Sequence, residues 1–105
     1  MPLLLPLTIV YAVGMEERYR FDDDAYDRLG AAGIPWQRVL EVLRARPRMR
    51  QHTGAVLRVA AQASDGRWYG VALIEENDDE YLVVGARELD DDERAAVAKM
   101  IEGEL

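Results

Sequence analysis

AVLRVAAQASDGRWYGVALIEENDDEYLVVGARE, residues 55–88, falls into three apolar runs and two polar breaks. AVLRVAAQ (55–62) is separated from RWYGVALIE (67–75) by Ser64-Asp65-Gly66, and the second run from EYLVVGARE (80–88) by Asn77-Asp78-Asp79. Runs of this length, rich in Val, Ile and aromatic residues and bounded by Asp, Asn, Ser and Gly, read as strands joined by tight turns. Connections so short make the strands antiparallel neighbours, so a three-stranded meander is expected. Gly70 and Gly85 sit inside strands, where glycine marks a bulge or a close backbone approach. Trp68 and Tyr69 are expected on opposite sheet faces, because strand side chains alternate.

Helices flank the meander. In FDDDAYDRLGAAG, Asp22 to Asp24 place a capping oxygen and negative charge at a helix start, and Gly33 supplies a left-handed stop. Pro35 suits the first turn of a second helix. Trp36, Val39, Leu40 and Leu43 then recur at the spacing of one buried face, and Pro47 ends the helix near Arg44 to Arg46. After the strands, Asp90 and Glu93 have capping-box spacing, Val97, Met100 and Ile101 form an apolar stripe, and Gly103 marks an end. The expected fold is therefore α+β: a small antiparallel sheet, with two helices before it and one after it, all packed on one face.

At 105 residues the chain holds one domain, read as 15–105, preceded by an apolar segment, 1–14. That segment, MPLLLPLTIVYAVG, lacks the basic start of a signal peptide and is too short and proline-interrupted to span a membrane. Leu7 to Val13 read as a fourth, N-terminal strand, buried or at a homodimer contact, while Met15 offers an internal start. The chain has no cysteine and one histidine, which excludes a disulfide framework, thiol catalysis and an ordinary structural zinc site. No cofactor and no membrane partner are expected, and the expected compartment is the cytoplasm.

Charge is unevenly spread over a net −7. Residues 36–70 carry two acids and seven bases, whereas residues 71–105 carry twelve acids and three bases. The basic centre includes LRARPRMRQH, residues 43–52, with four arginines and the only histidine. Cations there complement a helix C-terminus, or hold an anion. Glu75 to Glu80 lack the ligand spacing and central glycine of an EF-hand and read as a solvated hairpin turn.

The order of elements, with GIPWQRVLEVLRARP, DGRWYGVAL and VVGARELDDDER, resembles the BrnT-type toxins of bacterial toxin–antitoxin modules over about residues 21 to 100. The resemblance rests on Ala86-Arg87 and on Glu93-Arg94 a few residues later. It implies a RelE-like fold, metal-independent cleavage of messenger RNA, and a cognate antitoxin partner. Two stretches differ: Ala31-Ala32 stand where the family usually has Lys-His, and Asp90 to Asp92 where it is basic.

Such cleavage needs a base, an acid and cations for the phosphorane. The candidates are Arg87, His52 and Arg58 for catalysis, with Arg46, Arg48 and Arg50 gripping phosphate. Each has a second reading. His52 suits an exposed loop, Arg87 an ion pair with Glu93 or Glu88, and Arg58 a partner contact or a paired, half-buried charge. Trp36, Trp68, Tyr69 and Tyr81 offer stacking surfaces, Trp36 being expected in the core. The alternative to a toxin-like ribonuclease is a non-catalytic, acidic interaction domain of the same architecture, with a homodimer contact at its first strand.

Overall fold

The computed structural model describes residues 9–11 and 17–104. The elements, in chain order, are β1 (Ile9–Tyr11), β2 (Arg18–Arg20), α1 (Asp23–Ala32), α2 (Trp36–Arg44), β3 (Met49–Thr53), β4 (Val56–Gln62), β5 (Trp68–Asn77), β6 (Glu80–Glu88) and α3 (Asp91–Glu104). The six strands form one sheet in the order β1-β2-β6-β5-β4-β3. The meander β4-β5-β6 is antiparallel, as its turns require. It is the centre of a larger, mixed sheet, because β2 runs parallel to β6. Of the strand expected over Leu7 to Val13, β1 holds Ile9–Tyr11 and pairs with β2; the remainder, and Met15, lie outside the described residues.

Local chemistry sets the helix limits. The Asp22 carboxylate accepts the Ala25 amide at 2.8 Å, and Gly33 closes α1 at φ 72°. Pro35 is the residue before α2 and not part of its first turn, and α2 stops at Arg44. Asp90 and Glu93 exchange side-chain-to-backbone bonds of 3.0 and 2.8 Å, a full capping box. Gly103 does not end α3, which continues to Glu104.

The helices do not share one face of the sheet. Leu57, Val59 and Ala61 of β4 point to the face covered by α1 and α2, with Tyr69, Val71 and Leu73 of β5 and Tyr81 and Val83 of β6 beside them. Ala60, between Val59 and Ala61, points the other way and packs with Met49, Val97 and Ile101. That second cluster puts α3 on the opposite face, a correction to the one-sided arrangement expected. Gly70 accommodates this: a Cβ there would lie 3.1 Å from Leu89 Cδ2, so the missing side chain lets the chain leaving β6 pack closely on that face. Trp36 is 38% exposed and meets Phe21 edge-on, at 6.4 Å between centroids, while Val42, outside the expected stripe, is fully buried. Met100 is likewise outside the buried stripe of α3, at 42% exposed.

Candidate functional site

Pairing register decides which side chains meet. On the α3 side, one row across the sheet is Arg87, Gly70, Ala60 and Met49, and the next is Gly85, Ala72, Arg58 and Gln51. A third holds Leu82, Ile74, Val56 and Thr53. A register shift between Ala72 and Leu73 lies beside Gly85. It keeps Gly85 and Arg87 on this face, with Val83 on the other.

Helix α3 packs over the first row and over Trp68, two residues before Gly70 on β5, and beside it lies an open groove of about 510 Å³. Its floor is Ala60, Gly70, Ala72 and Gly85, and Ala96 and Val97 of α3 form one wall. Arg58 and Arg87 both line it. The two cations are in different states. Arg87 makes a two-pronged ion pair with Glu93, one prong of 2.7 Å, which raises the guanidinium pKa further. The same bonds, with the Asp90 amide, hold the Glu93 carboxyl down to about 2. Arg58 is exposed and has no hydrogen bond or ion pair among the described residues.

The remaining predicted residues are elsewhere. His52 and Arg50 alternate with Gln51 and therefore lie on the other face, at the edge strand β3. There His52 Nε2 is 3.3 Å from the Tyr81 hydroxyl, and Arg50 donates to that oxygen at 3.3 Å and pairs with Glu17. The Tyr19 hydroxyl donates to Glu17 at 2.7 Å. Burial, then that carboxylate, pushes the Tyr19 pKa far up. Burial and Glu17 raise Tyr81 in the same order. Arg48 donates to the Leu43 carbonyl, satisfying the C-terminus of α2, and burial lowers its pKa. Arg46 donates to the Ala45 carbonyl at 3.2 Å, its one hydrogen bond among the described residues. The arginine-rich stretch thus closes a helix, then forms an edge strand that braces two tyrosines.

Arg58 and Arg87 line one groove, and His52 faces away from both across the sheet. In the groove the nearest carboxylate, Glu93, is ionised and engaged, so it is a weak base and no acid near neutral pH. The arrangement suits binding: one available guanidinium above a floor of small side chains, bordered by Ile74 and Val56, 40% and 37% exposed. No three His, Asp or Glu side chains gather as a metal site among the described residues. No helix among them is long and apolar enough to cross a membrane. Sequence reasoning named Arg58 and Arg87 but missed Gln51, Ala72, Gly85, Ile74 and Val56. The readable signal was the alternation of small residues, Gly70 then Ala72, with large ones in β5. No protein-family model, curated protein or solved structure matches this chain.

Proposed function

We propose that this protein is a non-catalytic interaction domain that binds a partner polypeptide on the α3 side of its sheet. One observation carries the reading: α1 and α2 bury their face, while α3 covers only one end of the other and leaves Ile74 and Val56 open beside Arg58, which has no partner among the described residues. Exposed apolar side chains grouped around a concavity mark interaction surfaces. A photo-crosslinking residue at position 72 is expected to give one discrete adduct in cells, absent from a probe at Arg44. The adduct, identified by mass spectrometry, is expected to bind again as purified components. Equal labelling from both positions would remove the reading.

The second reading is a toxin-like, metal-independent ribonuclease silenced by an antitoxin. The presence of Arg58 and Arg87 in one groove supports it. Separation of His52 from that groove, and the acids Asp90 to Asp92 beside it, weigh against it. Labelled messenger RNA incubated with the purified protein in chelator is expected to stay intact. Cleavage lost in both Arg58→Ala and His52→Ala would reverse the order of the two readings.

A further inference from the structure

Resting on the interaction reading, we propose that the uncovered half of this face seats one α-helix of the partner, laid beside α3, with an acidic side chain on the Arg58 guanidinium. The first support is spacing. Successive side-chain rows on a strand face lie roughly 6.6 Å apart, and neighbouring helices pack about 8–10 Å apart. With α3 over the Arg87–Met49 row, a helix alongside it falls over the rows of Ala72 and Ile74. Ala72, Gly85 and Ala96 keep that corridor shallow-sided, so a helix backbone can approach closely.

The second support is hydrogen bonding. Strands β5 and β6, which floor the corridor, have sheet neighbours on both sides. An extended peptide lying on the face would bury backbone groups with nothing to pair with, whereas a helix satisfies its own. The third is charge. Arg58 stands between Gln51 and Ala72 across the sheet and has no carboxylate partner among the described residues; an acid on the incoming helix supplies one.

Other occupants fit less well. A second copy offers a poorer helix face, because the main apolar stripes of α1, α2 and α3 lie against the sheet and each helix leaves a single large apolar side chain exposed, Tyr26, Trp36 and Met100. Residues 1–8 contain two prolines and no acid. RNA would bring a line of phosphates against Glu93 and Asp90 to Asp92.

The test is a displayed library of helices on a fixed scaffold, one face randomised. It is selected on the full-length protein and counter-selected on Ala72→Trp, with Ile74→Lys as a second blocked target. Both variants are checked for native circular dichroism. Enriched helices are expected to carry an acid within an otherwise small or aliphatic face. Changing that acid to its amide is expected to weaken binding on the order of fivefold, the size of an exposed ion pair. Arg58→Gln is expected to abolish the preference. Enriched helices indifferent to the acid would overturn the inference and leave the interaction reading standing. No enrichment over both blocked targets would overturn the two together. Self-association lost in Ala72→Trp would put a second copy in the helix's place.

Discussion

The two faces of this sheet are built from alternate residues of the same strands and come to opposite ends. One is closed by two helices and holds Tyr19, Phe21, Leu43, Leu57 and Leu73 almost wholly out of water. The other is half closed by one helix, with a cluster of Met49, Ala60, Val97 and Ile101. The difference is in side-chain volume. Large aliphatic and aromatic residues point to the first face and demand cover; small ones, Ala60, Gly70, Ala72 and Gly85, point to the second and leave a hollow. Folding free energy is therefore concentrated on one side, and accessible binding surface on the other.

The adjacent pair Leu73 and Ile74 tests this most directly, since one is fully buried and the other 40% exposed. Leu73→Ala is expected to cost about 3 kcal/mol through lost burial and a cavity, and Ile74→Ala about 0.5 kcal/mol or less. Urea unfolding measures both, and comparable losses would end the claim that the faces differ.

The helix caps sharpen the contrast at smaller amplitude. Asp22→Ala and Asp90→Ala each remove one N-terminal capping bond, worth about 1 kcal/mol. The first is expected to move the global unfolding midpoint, because α1 covers the main core. The second is expected to speed hydrogen exchange in α3 ahead of the rest of the fold. Identical exchange profiles would make α3 as integral as α1.

The smallest effect is on pH. Glu93 titrates near 4.5 when free and at about 2 beside Arg87. Its folded pKa is depressed, so the stabilisation is fully present above pH 4.5 and is lost as pH falls toward 2. Asp65 and Glu41, lowered by their own hydrogen bonds, act in the same direction. The stability difference between wild type and Glu93→Gln, followed by denaturant titration from pH 7 to 2.5, is expected to shrink through that window. A constant difference would mean that Arg87 and Glu93 do not hold α3 in solution.

Much of the fold was legible without the structure. Asp22, Gly33 and Pro47 act on their own neighbours, and α1 and α2 end where those residues direct. The breaks at Ser64-Asp65-Gly66 and Asn77-Asp78-Asp79 are equally local, with Gly66 at φ 84° and Asp79 at φ 59°. Of the sheet beyond the meander, a strand around Ile9 was legible and the next two were not. Strands β2 and β3, RYR and MRQHT, are short and polar, with no alternation that marks a strand. They are extended because β6 and β4 offer them hydrogen bonds.

The candidate site divides in the same way. The sequence by itself determined which cations exist, where the helices and the central turns fall, and that Arg87 has a glutamate within reach. Caps, turns and periodicities operate over a few residues and can be read there. Only the tertiary structure decided that Arg58 and Arg87 share a groove, that His52 turns away to Tyr81, and that α3 takes the face opposite α1 and α2. Those outcomes depend on strand register, in which a shift of one residue sends a side chain to the other face. Register is set by contacts between segments far apart in the chain.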